Sequence, residues 1–234
     1  MIATLLLLSL STGFMPDRSI EGGWVTTESG TTQVSWIFVD GFFAASRYDA
    51  TQKTFTGTWG GVYRWQDKSI EFTEEFNTID PAQIGKPYVS SVRIGRSETI
   101  LTRNGTTQTL RRIDDGTPGA LAGAWWITGR MVDGKMNTVT PGARRTMKML
   151  SGKRFQWIAY NVDTREFFGT GGGTYTTVDG RYTEVLDFFS RDNNRVGASL
   201  QFDYGLEDGK WRHRGFSSKG DPIDEVWSRR QMLK

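Results

Sequence analysis

The side chains with the most chemical capacity in this 234-residue chain lie in its second half. Glu184, Glu225 and His213, the only histidine, each stand two residues from an aromatic: Tyr182, Trp227 and Trp211. Alternate side chains of a strand share a face. These pairs therefore predict two carboxylates and an imidazole on an aromatic, inward wall, with Trp157 and Tyr175 on companion strands. A charge on such a wall must be paired or protonated. Converging on one cavity, Glu184, Glu225 and His213 are the set that would move protons in an enzyme. In a binding protein, Trp157, Tyr175, Tyr182, Glu184, Trp211, His213, Glu225 and Trp227 would line the ligand site. The plainer alternative pairs the carboxylates with Arg212 or Arg229, or turns them to water, and treats His213 as a packed ring beside Trp211.

Other chemistries find little support. With no cysteine and one histidine, a zinc or haem site would rest on carboxylates and tyrosine alone, so no metal and no cofactor are expected. No nucleophile beside a base and no phosphate loop is present. Glu71, Glu74 and Glu75 form an acidic group, read as a solvated face. The net charge of +3 hides an asymmetry, −2 over residues 1–116 against +5 over 117–234. The basic residues of the second half, among them Arg144, Arg145, Lys148, Lys153 and Arg154, are assigned to turns and strand ends, and no nucleic-acid partner is expected. Trp36, Trp65 and Trp126 suggest a different use, an aromatic surface for glycan stacking.

The elements that must position these groups are strands. Twenty-eight glycines, 13% aromatic residues and runs rich in Thr, Val, Trp and Tyr favour sheet over helix. Ile2 to Leu10 is apolar and is followed by small residues, the pattern of a secretory signal, which predicts a secreted or periplasmic protein. That run is too short to span a bilayer, so an integral membrane protein is not expected.

The chain repeats itself. Gly57-Thr58-Trp59-Gly60-Gly61-Val62-Tyr63 aligns with Gly169-Thr170-Gly171-Gly172-Gly173-Thr174-Tyr175 at a shift of 112, which also pairs Tyr48 with Tyr160 and Phe55 with Phe167. Upstream, Gly22-Gly23-Trp24 aligns with Gly123-Ala124-Trp125 at 101, and downstream Arg111-Arg112 aligns with Arg229-Arg230 at 118. The first difference places extra residues in a loop at 132–143. The boundaries that follow are 1–15 for the apolar segment, 20–113 for the first copy, 114–120 for a linker and 121–230 for the second. Turn signals every 8 to 12 residues, including Asp179-Gly180 and Asp208-Gly209, divide the second copy into eight strands. Short links make neighbours antiparallel, so the expected fold is all-β: two tandem antiparallel up-and-down eight-stranded β-barrels. Glycines 169, 171 and 173 are predicted to share the face of Phe167 and Tyr175, either baring one wall for a ligand or easing tight curvature and the close approach of another backbone. In the first copy Phe55, Trp59, Tyr63 and Trp65 crowd the matching face, which predicts a plugged barrel.

Gly123-Ala124-Trp125, the run Gly171 to Tyr175 leading to Tyr182-Thr183-Glu184, and the ending Glu225-Val226-Trp227-Ser228-Arg229 resemble secreted bacterial lipocalin-like domains of the calycin superfamily. The first copy shares the Gly-x-Trp, the glycine strand and the late arginines but lacks the Glu-x-Trp ending. The resemblance implies that each first-strand tryptophan packs near the closed end of its barrel against a late basic residue: Trp24 against Arg111 or Arg112, Trp125 against Arg229 or Arg230. It also implies that a barrel binds a small hydrophobic or amphipathic molecule.

Overall fold

The computed structural model describes residues 19–49, 51–114, 119–217 and 219–232. The apolar segment at 1–15 and positions 115–118 of the expected linker lie outside them. Strands β1 (Gly22–Ser29), β2 (Thr32–Val39), β3 (Phe42–Asp49), β4 (Thr54–Gln66), β5 (Ser69–Asn77), β6 (Pro87–Ile94), β7 (Glu98–Arg103) and β8 (Thr106–Arg112) pair in sequence order and close β1 on β8. The second set comprises β9 (Gly123–Val132), β10 (Lys135–Thr138), β11 (Arg144–Leu150), β12 (Arg154–Asn161), β13 (Phe167–Val178), β14 (Arg181–Phe189), β15 (Ser199–Glu207), β16 (Lys210–Phe216) and β17 (Pro222–Arg229). Here β9 pairs with β11 and β17, so β9 and β11 to β17 form the second eight-stranded barrel. The protein is two closed antiparallel barrels in tandem.

Strand β10 lies in the segment read as loop. Asp133 and Gly134 take positive φ, 50° and 73°, and fold β10 back on the outer half of β9. Asp179-Gly180 and Asp208-Gly209 do the same at their hairpins.

The duplication extends to irregularities. Register shifts at Arg47/Tyr48 and Gly60/Gly61 recur 112 residues later at Ala159/Tyr160 and Gly172/Gly173. The 3-10 turns Pro81–Gln83 and Asn193–Arg195 are likewise 112 apart, each capped by an aspartate, Asp80 or Asp192. Late in the chain the sequence alignment is off by one residue. Arg112 pairs with Trp24 and Arg229 with Trp125, so the copies match at 117 rather than 118, and Arg230 has another task.

Both barrels close the same way. The indole of Trp24 donates to Ile20 O at 2.7 Å and that of Trp125 to Leu121 O at 2.8 Å. The guanidinium of Arg112 lies 4.0 Å from the Trp24 ring and that of Arg229 3.9 Å from Trp125. The glycine of the motif is required by this packing: Gly123 has φ +135°, and a Cβ there would fall within 1.6 Å of Arg229.

The barrels touch through the outer faces of β2 and β3 and of β11 and β12. Ile37, Val39, Phe42 and Ala44 pack against Ala124, Met147, Met149, Ile158 and Tyr160 in one apolar cluster. Around it the contacts are reciprocal. Tyr48 packs tilted on Phe188 at 5.0 Å and reaches Asp187, while Tyr160 packs tilted on Phe76 at 5.0 Å and donates to Glu75 at 2.6 Å. Arg230 pairs with Glu75, and Arg154 bonds Asp187, Ser35 and Tyr48. Gln156 donates to both Thr58 and Thr170. Among the described residues no helix is long and apolar enough to cross a membrane.

Candidate functional site

Four polar side chains meet inside the second barrel: Lys148 from β11, Glu184 from β14, His213 from β16 and Glu225 from β17. They are 5%, 3%, 2% and 8% exposed. Lys148 Nζ lies 2.8 Å from Glu184 Oε1, and four rings surround the ammonium at 5.0–5.7 Å: Tyr182, Phe202, Trp211 and Trp227. His213 Nδ1 is 3.4 Å from Glu225 Oε2, which also accepts from the Trp227 indole at 3.2 Å. Glu225 Oε1 accepts from Arg130 at 2.9 Å. Burial opposes ionisation of Glu225, yet the hydrogen bond of His213 and the charges of Lys148 and Arg130 outweigh it and hold the carboxyl below the usual carboxylate range. Burial and then the Lys148 ammonium push His213 below the usual histidine range, so the ring is neutral at neutral pH. Its Nδ1 faces a carboxylate and therefore carries the proton. The other nitrogen, Nε2, is a buried acceptor without a hydrogen-bond partner among the described residues.

These four groups line a cavity of about 360 Å³ together with Trp157, Leu186, Phe189, Leu200, Ile223 and Trp227. Arg130, Arg144 and Arg191 also line it. The lining thus joins apolar walls to four cations, two carboxylates and a neutral imidazole; Lys148 and Arg130 pair with the carboxylates, and Arg144 and Arg191 leave an excess of positive charge.

Of the eight residues expected to line a site, five do so: Trp157, Glu184, His213, Glu225 and Trp227. Tyr175, Tyr182 and Trp211 are core residues beyond the cavity wall. Tyr175 donates its hydroxyl to Ser151 O, and Trp211 packs on Trp125 at 5.7 Å. Burial, with Glu184 nearby, raises the Tyr182 hydroxyl well above its usual range, so it remains protonated. The partners of the carboxylates are Lys148 and Arg130, not Arg212, which pairs with Asp224, or Arg229, which lies on Trp125.

Lys148 is the member that sequence reasoning missed. It was assigned with other basic residues to turns and strand ends, although Met147, Met149 and Leu150 mark its strand as buried on both sides. The bare glycine wall is also overturned. A Cβ on Gly171 would meet Trp157 at 2.7 Å and Phe189 at 2.8 Å, one on Gly173 the Val185 carbonyl at 1.9 Å, and one on Gly169 the Arg191 guanidinium at 2.5 Å. The bulges re-aim the strand, so Phe167 packs in the cluster between the barrels and not with Tyr175.

The first barrel is not plugged either. It opens a cavity of about 910 Å³, because Phe55 turns out to Phe188 and Trp65 is exposed, leaving Trp59 and Tyr63 on the inner face. Glu74 is buried in it, and Glu75 is half-buried between the barrels, paired with Arg230; neither is a solvated surface acid. Trp36 lines the cavity and Trp126 lies under Arg145 and Arg230, so the three tryptophans make no common surface.

No model of a known protein family matches the chain, and no curated protein matches it. Among solved structures, a lipocalin-like protein from Bacteroides uniformis ATCC 8492 is similar, with 17% identity, a TM-score of 0.34, and a match covering 48% of this chain and all of that one. The chain itself forms two closed eight-stranded antiparallel barrels in tandem, each shut by a Gly-x-Trp and a late arginine, the pairing that its resemblance to lipocalin-like domains implied.

Proposed function

We propose that the protein binds a small amphipathic molecule in its second barrel, without catalysing its conversion. One observation carries this: a 360 Å³ cavity with apolar walls, into whose buried polar cluster His213 Nε2 brings an acceptor without a partner among the described residues. An apolar body fits against Trp157, Leu186, Phe189 and Leu200, where burial is favourable at about 25 cal/mol per Å². The head group that satisfies Nε2 is a hydrogen-bond donor, a hydroxyl or an N–H. A cationic head would meet the excess positive charge of Arg144 and Arg191. For proton transfer the arrangement is less apt, since Glu184 is engaged by Lys148, and His213 and Glu225 engage each other. The apolar run at Ile2 to Leu10 supports a secreted or periplasmic setting.

The test is titration of the full chain with 1-decanol and with decane, followed by quenching of tryptophan fluorescence, alongside native mass spectrometry of protein from its own source. Decanol is expected to bind. His213→Leu, which installs the first barrel's residue at that place, is expected to weaken it about tenfold, the worth of one buried hydrogen bond. Equal affinity for decane, or indifference to His213→Leu, would refute the reading.

A further inference from the structure

The first barrel's cavity carries different chemistry, and the second barrel shows which of its features the fold does not need. At the shift of 112, Glu74, Asn77 and Tyr88 occupy the places of Leu186, Phe189 and Leu200. Leucine and phenylalanine satisfy that layer of the barrel in the second copy. A carboxylate, an amide and a phenol in the first copy are therefore not demanded by folding.

Glu74 is 3% exposed and makes no ion pair among the described residues. It accepts from Asn77 Nδ2 at 2.6 Å and Tyr88 Oη at 3.1 Å. The Trp36 indole N–H also lines the cavity, buried and without a hydrogen-bond partner. Trp59, half-buried, meets Trp36 edge-on at 5.3 Å, and Phe72 adds a further aromatic surface. Hydroxyls and amides complete the lining, among them Thr26, Ser90, Thr107, Gln108 and Thr109.

An apolar guest would leave the indole N–H unanswered and strip water from the carboxylate, which is costly. An anion would face Glu74. An organic cation would face Arg103, whose guanidinium lies 3.7 Å from the Tyr88 ring, while Arg47 is already held by Glu28. A neutral guest rich in hydroxyls avoids all three penalties: its O–H groups donate to Glu74, its oxygens accept from Trp36, and its C–H face lies on aromatic rings. We infer that the first barrel is a separate site for a neutral saccharide, distinct in position and chemistry from the site in the second barrel.

The experiment is calorimetric titration of the full chain with three neutral trisaccharides, cellotriose, maltotriose and N,N′,N″-triacetylchitotriose. At least one is expected to bind. Glu74→Leu, which copies the second barrel, and the isosteric Glu74→Gln should each weaken it tenfold or more, as should Trp59→Ala, while His213→Leu leaves it unchanged. The Gln variant keeps the test decisive if the others misfold. Absence of binding by all three sugars, or binding that Glu74→Gln does not alter, overturns the inference. Because decanol reports the second barrel, failure here leaves that reading standing.

Discussion

The two barrels share a closed end and invert the layers above it. Where the second carries Lys148, Glu184 and His213, the first has Trp36, Phe72 and Leu101, and the strand pairing that sets His213 opposite Glu225 sets Leu101 opposite Gln108. One layer on, the polarity reverses, with Leu186 and Leu200 against Glu74 and Tyr88. Even the bulk is exchanged across one strand pair. Trp157 faces Gly171 in the second barrel, and Ala45 faces Trp59 in the first. The backbone thus tolerates either polarity at either depth. What it insists on is the tryptophan and arginine at the base and the glycines at the bulges.

That comparison can be tested at three strengths. The largest effect is expected from Lys148→Ala, which strands the Glu184 charge in the interior and should cost about 3–5 kcal/mol in urea unfolding. Lys148→Met combined with Glu184→Leu should recover most of that loss, since an apolar layer is what the first barrel uses there. If the double variant is as unstable as the single one, the layer is a structural requirement and the comparison fails.

Acid should single out the second barrel. Burial disfavours charging His213, so the unfolded ring takes up a proton near pH 6.5 that the folded ring refuses. Stability therefore declines as the pH falls below 6.5. Glu225 behaves with the same sign: its folded value lies under the ordinary 4.5, so its contribution is present above pH 4.5 and lost as the pH falls through the lowered value. His213→Leu should remove the first part of the slope. Unfolding free energies that stay flat from pH 7 to 5 in the parent protein would contradict this account. The smallest effects belong to the exchanged pair, Gly171→Ala and Ala45→Gly, and of these Gly171→Ala comes first. Its methyl must displace Trp157 and Phe189, and about 1–3 kcal/mol of destabilisation is expected. Ala45→Gly, which leaves the Trp59 ring in place, should cost about 1 kcal/mol or less by comparison. Equal losses would show that the exchanged pair is not equivalent.

Much of the fold was readable in the sequence because it depends on local signals. The Gly-x-Trp repeat, the Asp-Gly hairpins and the shift of 112 all mark backbone geometry directly. On straight stretches the two-residue period was also reliable, placing Glu184, His213 and Glu225 inside with their aromatics. It broke at the bulges. The extra residue Phe168, at the Ala159/Tyr160 shift, reverses the faces of β13 between Phe167 and Gly169, which is why Phe167 was misplaced, while the glycine wall failed because neighbouring side chains and backbone fill it. Lys148 was out of reach for another reason. Its partner, Glu184, lies 36 residues away, and only closure of the barrel reveals that the two charges meet. The volume of the first cavity was equally hidden, because it depends on Phe55 and Trp65 facing outward.

The contact between the barrels has a consequence for assembly. Most of it is reciprocal, as in a symmetric dimer, but Arg154 and Gln156 stand where the first barrel has Phe42 and Ala44. In two second barrels meeting the same way Arg154 would lose the Ser35 hydroxyl and meet Met147 in its place, and two first barrels would lack the amide that ties Thr58 to Thr170. Each half is therefore complementary to the other and mismatched to itself. Since one chain supplies both halves at high effective concentration, the pairing is self-saturating. A cell making this protein obtains two unlike compartments in fixed one-to-one ratio, with no stray homodimers to sort.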